Sequence, residues 1–451
     1  MFIETIKTPG IAHLSYVLGS NGEACVIDPQ LDTDKYLKIS NKHNCRITRV
    51  FETHRNEDFI SGSVALKQRT QAEIYHGEDA DKPIHYAAIV KDKETFKVGS
   101  WLLTVLKTPG HTKDSICIVF YDANNSQDTS VGVFTGDTLF VHDVGRTDFY
   151  PKEKEHMASM LYDSLQRLIA LGDQTIVYPA HGAGSVCGGD MAEREFTTIG
   201  IEKTSNPLLK LTEKASFIKC KVNENHYIAP YFSKMEQANS EGVDSPLPPI
   251  ISQLLPSDAM QLWLDPTSRP GYLIDIRTHA AFRDNHIPGS INMPGDLLSA
   301  YGGWLLEYQK PIMFVAENSI DANASAAQLW RMGFTHVVGH ISDIPIPVTK
   351  HDINNQALVT VTADVVEFRL QESRDNWILL DVRKHDEVID KPLPGALHTY
   401  LGYMKEKQAN FNADVHYTCM CGSGKRATVA ASYLKHLGCN NVDVFLGSLV
   451  A

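Results

Sequence analysis

Four strand-like segments in the first half of the chain each run into a side chain that can bind a metal ion. They lead to His54, His111, Asp137 and His181. Because the ends of neighbouring strands in an open α/β architecture converge, we expect these four side chains to lie together. A single histidine at a strand end is usually a hydrogen-bonded structural residue, but four such residues together favour a metal site.

A loop near the end of the chain has the features of a reactive thiol. Cys421 follows a strand-like run, and a helix-like stretch over residues 427–437 comes directly after the loop. The free N–H groups at the start of that helix, together with two basic side chains, favour a nucleophilic thiolate. We predict that Cys421 and Arg426 are catalytic. The residues predicted to bind substrate are Gly422, Ser423, Gly424 and Lys425.

Alternating strands and helices must position these residues. Helical periodicity appears at 34–42 and at 154–171. Apolar strand-like runs cover residues 24–27, 47–51, 101–106, 116–120, 131–134 and 176–178. This alternation is typical of the α/β class.

The second half of the chain contains an internal repeat, which a proline-rich stretch at 240–256 separates from the first half. The run Leu-Ile-Asp-Ile-Arg at 273–277 returns as Leu-Leu-Asp-Val-Arg at 379–383, and a Pro-Gly pair recurs at the same offset. Each copy has the pattern of a small parallel α/β unit. We predict three domains, over residues 1–240, 255–345 and 356–451.

The middle copy lacks the reactive residues of the last one. When one lost residue is allowed for, Cys421 aligns with Ala316 and Arg426 aligns with Asp321. The nucleophile and the cationic loop are therefore both absent. We expect residues 255–345 to be an inactive copy with a structural or regulatory role.

The overall composition is that of an ordinary globular protein, with 43% hydrophobic and 21% charged residues. The formal net charge of −12 argues against a basic surface for non-specific nucleic-acid binding. No apolar run approaches the roughly 18 residues of a membrane span. The eight cysteines lack the spacing of a disulfide framework. We expect a cytoplasmic protein without nucleic-acid or membrane partners.

The metal-binding segments resemble the metallo-β-lactamase superfamily over about the first 210 residues. The matching strings are Thr-Pro-Gly-His-Thr at 108–112, Thr-Gly-Asp-Thr-Leu at 135–139 and Pro-Ala-His-Gly at 179–182. The signature loop of that superfamily, Thr-His-x-His-x-Asp-His, is only partly kept. His54 and Asp58 are present, but Asn56 and Phe59 replace the second and third histidines. The resemblance implies an αβ/βα sandwich with its metal at one edge.

The donors that remain are those of a mononuclear iron site. Two histidines and one carboxylate, His54, His111 and Asp137, form a facial triad of the kind that holds non-haem Fe(II). The persulfide dioxygenases of the superfamily use this subset, and they share the string Gly-Arg-Thr-Asp at 145–148. The resemblance implies one Fe(II) in the first domain. We expect Asp58 and His181 to orient a ligand or a metal-bound water.

Arg146 and Asp148 have two interpretations that the sequence leaves open. A guanidinium pairs bidentately with a carboxylate, so Arg146 is a candidate anchor for a substrate carboxylate. It could equally form a structural ion pair with Asp148. We predict that both residues belong to the substrate site.

The cysteine loop resembles the rhodanese family of sulfurtransferases, in which a cysteine carries a persulfide between a donor and an acceptor. The matching features are Cys-x-x-Gly-x-Arg at 421–426, Leu-Asp-Val-Arg at 380–383 and the Pro-Gly pair at 394–395. A phosphatase loop, Cys-x5-Arg, would be one residue longer. The architecture implied is a metallo-β-lactamase αβ/βα sandwich followed by two small parallel α/β rhodanese-like domains.

Sulfane sulfur connects the two chemistries. The chain looks like the multidomain persulfide dioxygenase–rhodanese proteins of bacterial sulfide detoxification. This implies that O₂ oxidises a persulfide of glutathione or another low-molecular-weight thiol to sulfite, and that sulfur transfer to sulfite gives thiosulfate. Two alternatives stay open: a metal-dependent hydrolase of a thioester-type bond, and a sulfurtransferase whose first domain is non-catalytic. The carrier thiol and the formation of a homo-oligomer also stay open.

Overall fold

The chain divides between Pro248 and Pro249 into two units, inside the proline-rich stretch. The computed structural model describes residues 1–125, 128–185, 191–244, 248–259, 263–265, 267, 269–342, 356–372 and 376–447. None of the helices in these ranges has the length and apolar character that a membrane span requires.

Two six-stranded sheets form the first unit. The first sheet follows chain order and comprises β1 (Phe2–Thr8), β2 (His13–Ser20), β3 (Glu23–Ile27), β4 (Arg46–Glu52), β5 (Glu73–Gly77) and β6 (Ala88–Val90). The second sheet comprises β7 (Thr95–Val98), β8 (Trp101–Lys107), β9 (Ile116–Asp122), β10 (Gly132–Gly136), β11 (Ile176–Pro179) and β12 (Thr197–Thr198), also in chain order across the sheet. Strands β3 to β6 are parallel, and so are β10 and β11.

The two sheets pack face to face through a shared apolar core. Phe51 of the first sheet and Phe120 and Phe134 of the second belong to one buried cluster. The helices of this unit are α1 (Asp34–Lys42), α2 (Ser63–Thr70), α3 (Lys154–Ile169), α4 (Ile199–Ser205), α5 (Lys214–Asn223) and α6 (Phe232–Glu241). Tyr36 of α1 packs on the outer face of the first sheet, and Leu161 of α3 packs on that of the second. This layering confirms the predicted αβ/βα sandwich.

Two parallel sheets form the second unit, as the repeat predicted. The first copy contains α7 (Pro256–Ala259), β13 (Tyr272–Asp275), α8 (His279–Asp284), β14 (Ile291–Asn292), α9 (Gly295–Leu305), β15 (Ile312–Val315), α10 (Ser319–Arg331) and β16 (Val337–Ile341). The second contains β17 (Thr360–Val361), α11 (Ala363–Gln371), β18 (Trp377–Asp381), α12 (His385–Asp390), β19 (Leu397–His398), β20 (His416–Met420), α13 (Lys425–His436) and β21 (Val442–Phe445). The sheet orders are β14-β13-β15-β16 and β17-β21-β20-β18-β19.

The first copy packs against α13, the helix that follows the cysteine loop. The side chain of Arg283 donates to Thr428 at 3.1 Å, and the main-chain N–H of Asn292 donates to Ser432 at 3.0 Å. His436 at the end of α13 lies 3.1 Å from the carbonyl oxygen of Gly289. The copy without the nucleophile therefore supports the helix of the copy that has it.

Candidate functional site

Three donor atoms from three strand ends meet in the first unit. His54 follows β4, His111 follows β8 and Asp137 follows β10, and their donor atoms lie within 4.8 Å of one another. Oδ2 of Asp137 is 3.8 Å from Nε2 of His54 and 3.5 Å from Nε2 of His111. All three side chains are buried. None of these three atoms has a hydrogen-bond partner among the described residues.

The other nitrogen of each imidazole is held, which turns Nε2 toward the site. Nδ1 of His54 lies 3.0 Å from the hydroxyl of Thr53, and that hydroxyl donates to Asp28 at 2.8 Å. The hydroxyl therefore accepts the Nδ1 proton of His54. Nδ1 of His111 donates to the main-chain carbonyl of Arg146 at 3.1 Å. Both rings thus present an Nε2 lone pair, the form in which histidine binds a metal.

His181 links Asp137 to Asp58. Its Nδ1 lies 2.7 Å from Oδ1 of Asp137, and its Nε2 lies 3.1 Å from Oδ2 of Asp58. Burial raises the pKa of Asp137, but the surrounding histidines outweigh burial and hold that pKa well below its usual value. Burial also raises the pKa of Asp58, and His181 offsets it only in part. His181 and Asp58 therefore lie beside the three-donor group and hold its carboxylate.

The Gly-Arg-Thr-Asp string packs directly behind the donors. A Cβ at Gly145 would lie 2.1 Å from the carbonyl oxygen of Asp137 and 3.1 Å from Cβ of His111, so only glycine fits. The guanidinium of Arg146 donates to both carboxylate oxygens of Asp148, at 2.7 and 2.8 Å. It also donates to the carbonyl of Tyr227 at 3.1 Å. Arg146 therefore forms the ion pair with Asp148, which was one of the two interpretations that the sequence left open.

The two positions that depart from the signature loop are occupied by residues with other contacts. The ring of Phe59 packs on His13, with ring centroids 4.1 Å apart. The side-chain amide of Asn56 donates to the carbonyl of His54 at 3.4 Å. Neither belongs to the donor group found among the described residues. The loop is also held by Asn239 of α6, which donates to the carbonyls of Asn56 and Phe59, both at 2.7 Å.

Sequence reasoning missed Glu57, which lies in the same loop. Its Oε1 is 3.4 Å from Nε2 of His111, and its Oε2 is 3.9 Å from Nε2 of His54. Burial raises the pKa of Glu57, but the two histidines outweigh burial and the pKa is lowered. Burial lowers the pKa of His111, yet Glu57 and Asp137 together reverse this and raise it. The only sign of Glu57 in the sequence was a carboxylate residue placed between His54 and Asp58. The direction of its side chain depends on the conformation of the loop.

The donor set fits one divalent metal ion. Donor atoms bound to a common ion at about 2.0–2.2 Å lie about 3–3.6 Å apart. The distances from Oδ2 of Asp137 to the two imidazole nitrogens, 3.5 and 3.8 Å, lie within or just above this range. Burial lowers the pKa of His54, which favours the neutral ring that a metal requires. Two imidazoles and one carboxylate suit non-haem iron.

The cysteine loop of the second unit joins β20 to α13. Cys421 is fully buried at the end of the strand, and Gly424 takes a φ of +76° at the start of the helix. Gly422 is half-buried and Ser423 is exposed. Lys425 is exposed and pairs across to Asp296 of the first copy at 3.1 Å. The positive end of α13 therefore opens next to the thiol.

Arg426 is held by an acidic partner from α12. Its Nη1 and Nη2 donate to the two carboxylate oxygens of Glu387, at 2.5 and 2.7 Å. Burial lowers the pKa of Arg426, but Glu387 outweighs burial and the pKa is raised. Burial likewise raises the pKa of Glu387, but Arg426 outweighs it and lowers that pKa. The ion pair with Glu387 therefore connects Arg426, the predicted catalytic arginine, to α12.

The equivalent loop of the first copy also joins a strand to a helix, but it lacks the cysteine and the arginine. Ala316 is buried directly after β15, where Cys421 stands after β20. The helix α10 begins beyond it with Asn318 as its cap, through a hydrogen bond from the N–H of Asp321. An acidic residue at this position cannot stabilise a thiolate.

Comparison with known proteins finds two family models that match different parts of the chain. The sequence model of the metallo-beta-lactamase superfamily matches residues 8–181, and that of the rhodanese-like domain matches residues 259–342 and 364–451.

Individual relatives carry two kinds of name. A hydroxyacylglutathione hydrolase of Methylobacterium nodulans is 29% identical over 217 residues, which cover 43% of this chain and 80% of the relative. The mitochondrial persulfide dioxygenase ETHE1 of Homo sapiens is 28% identical over 218 residues, covering 47% of this chain and 76% of the relative. A crystal structure of a metallo-beta-lactamase from Staphylococcus aureus subsp. aureus COL aligns at 26% identity and a TM-score of 0.67. That alignment covers 76% of this chain and 98% of the other.

Proposed function

We propose a function from one premise: the chain joins a domain of the metallo-β-lactamase superfamily to two rhodanese-like domains. The first domain oxidises a low-molecular-weight persulfide, and the last domain transfers sulfane sulfur to the product. In the first reaction a persulfide, O₂ and water give the thiol, hydrogen sulfite and a proton. In the second, a further persulfide sulfur is joined to sulfite and gives thiosulfate.

The observation that carries the proposal is the set of three buried donor atoms on His54, His111 and Asp137, which have no hydrogen-bond partner in the described part of the chain. These residues would hold one Fe(II). Bound iron would supply positions for the terminal sulfur and for O₂, which brings both reactants to one place.

Hydrogen bonds within the protein fix the orientation of the three donor side chains. Arg146 holds His111 through its main-chain carbonyl, and Thr53 holds His54 through its hydroxyl. His181 keeps Oδ2 of Asp137 directed at the two rings. The burial of all these groups excludes bulk water from the donor atoms.

The second reaction uses Cys421. Its thiolate attacks the terminal sulfur of a persulfide, forming a new S–S bond as the old one breaks, and the carrier leaves as a thiol. Sulfite then attacks the outer sulfur on Cys421, which releases thiosulfate and restores the thiol. The N-terminus of α13, with Lys425 and Arg426, places positive charge beside both anions. We assign the substrate contacts of this step to Gly422, Ser423 and Gly424.

A hydrolase is the second candidate, because hydroxyacylglutathione hydrolases are among the relatives. Hydrolysis by a binuclear metal site needs the second and third histidines of the signature loop. Here those positions carry Asn56 and Phe59, and Phe59 is packed against His13. The persulfide dioxygenase relative and the mononuclear donor set both support oxidation.

Oxygen uptake by iron-loaded protein given glutathione persulfide tests the proposal. We expect uptake with sulfite or thiosulfate as product, loss of uptake in His111→Ala, and sulfite without thiosulfate in Cys421→Ser. Metal-dependent turnover of a thioester without oxygen would establish the hydrolase instead. Sulfur transfer that depends on Cys421 and is unchanged in His111→Ala would leave a sulfurtransferase with a non-catalytic first domain.

A further inference from the structure

Glu57 approaches the two donor histidines as closely as Asp137 does. Oε1 of Glu57 is 3.4 Å from Nε2 of His111, and Oε2 of Glu57 is 3.9 Å from Nε2 of His54. The corresponding distances from Oδ2 of Asp137 are 3.5 and 3.8 Å. The same two nitrogens therefore face two carboxylates at nearly equal distances, Asp137 through one oxygen and Glu57 through both of its oxygens.

The charge balance of this cluster also calls for a cation. Glu57 and Asp137 are both buried beside the same two imidazoles. Removing two anionic carboxylates from water is unfavourable unless a positive charge compensates them. A single divalent ion between neutral imidazoles would balance both carboxylates.

The residues that depart from the signature loop are also consistent with one cation bound between Glu57 and Asp137. Asn56 bonds to the carbonyl of His54, and Phe59 packs on His13, so neither replaces the histidine that the superfamily has at its position. Glu57 occupies a variable position of that signature, yet its side chain reaches both donor rings.

We propose that Glu57 is a fourth protein ligand, so that the metal is held by two histidines and two carboxylates. The inference rests on the metal site of the proposed function, but it does not depend on which substrate is oxidised. A second carboxylate adds a hard oxygen donor, which favours iron or manganese over softer ions. Four protein ligands would leave an octahedral ion two open positions, enough for one sulfur and one oxygen ligand.

Iron affinity provides a test that does not involve turnover. Fe(II) binding to the full chain is measured anaerobically by competition with a chromogenic chelator. We expect Glu57→Gln to weaken binding about tenfold or more, as Asp137→Asn should. The matched control is Glu236→Gln, because Glu236 lines the same pocket as Glu57 and pairs with Arg55 instead. That variant should bind iron within about twofold of the parent.

The outcomes separate this inference from the proposed function. Equal iron affinity in the parent and in Glu57→Gln, with a loss in Asp137→Asn, would overturn the fourth ligand and leave the three-donor site intact. Failure of the parent to bind iron would overturn the iron site itself. Should Glu57→Gln not fold, Glu57→Asp keeps the charge and withdraws it by one methylene, and it should also weaken binding.

A crystal structure of the iron-loaded parent needs no variant. A carboxylate oxygen of Glu57 at about 2.0–2.2 Å from the iron would support the proposal. A carboxylate that remains beyond about 3 Å, with water in its place, would refute it.

Discussion

The imidazole of His181 lies 2.7 Å from Oδ1 of Asp137 through Nδ1, and this bond turns the other carboxylate oxygen toward the two donor histidines. His181 also contacts Asp58 and is fully buried. It therefore positions the carboxylate of Asp137 without belonging to the three-donor group.

We expect His181→Ala to weaken Fe(II) binding by about 10- to 100-fold, because partners that orient metal ligands have effects of this size. His181→Asn keeps a donor near Asp137 and should recover part of the loss. Chelator competition under anaerobic conditions measures both variants. His156, which is exposed on α3, supplies the control substitution His156→Ala. Unchanged affinity in His181→Ala would show that the carboxylate is oriented by other contacts.

Gly145 is predicted to be intolerant of any side chain. A Cβ there would meet the carbonyl oxygen of Asp137 at 2.1 Å, so Gly145→Ala must displace the main chain behind two donors. We expect a loss of about 1–3 kcal/mol in unfolding free energy, with weakened metal binding. Gly182→Ala is the control, since its nearest contact would be at 3.9 Å. Thermal unfolding of the two variants side by side decides the point. Equal stability would contradict the steric argument.

Glu387 is predicted to hold Arg426 in place for sulfur transfer. Glu387→Gln removes the charge of a partly exposed, bidentate partner. We expect the rate of thiosulfate formation from persulfide and sulfite to fall by about tenfold or less, while oxygen uptake is unchanged. Asp386→Asn changes an exposed residue of the same helix and should have no effect. A transfer rate in Glu387→Gln equal to that of the control would assign the ion pair no part in the reaction.

The first rhodanese-like copy should not regain activity from a thiol alone. We expect Ala316→Cys, in a Cys421→Ser background, to transfer no sulfur, because Asp321 stands where the other copy has Arg426. Mass spectrometry after alkylation measures persulfide on the new cysteine. Persulfide formed at a rate comparable to that of Cys421 would show that a buried cysteine after the strand is sufficient.

Stability of the second unit should depend on pH through His286. Burial lowers the pKa of this residue from 6.5 to about 4, and its Nδ1 donates to the carbonyl of Phe282 at 2.9 Å. The unfolded chain therefore binds the proton more readily, so stability is lost as pH falls from about 6.5 toward 4. The loss reaches about 3 kcal/mol.

Urea unfolding of His286→Gln at a series of pH values checks this sign. The variant should lose less stability than the parent over that interval, because glutamine does not titrate. His336→Gln, at an exposed site, should follow the parent. A parent curve parallel to that of His286→Gln would mean that His286 is not responsible.

Local patterns in the sequence were enough to predict much of the fold and part of the site. Apolar runs predicted the central strands of the first unit, and the repeat at 273–277 and 379–383 predicted two parallel α/β copies, because both signals are short-range. The donors His54, His111 and Asp137 were predicted since each directly follows or lies just beyond a strand.

Contacts between distant segments could not be predicted in the same way. Thr53 is held by Asp28 from a neighbouring strand, and His111 is held by the carbonyl of Arg146. Glu57 was missed because the direction of a side chain in an irregular loop follows from the packing around it. The sequence offered an ion pair of Arg146 with Asp148 as one of two interpretations, and only the positions of the two side chains in space show that it forms.

The hydrogen bonds between Asn239 and the loop that follows His54 affect which fragment of the chain can be expressed alone. Asn239 belongs to α6, yet it donates to the carbonyls of Asn56 and Phe59 and accepts from the N–H of Ser61. The superfamily match ends at residue 181, far before this helix. A recombinant fragment cut at that boundary would lose the hydrogen bonds from Asn239 to the loop that carries His54. We therefore expect the minimal excisable module to extend through Glu241, the last residue of α6.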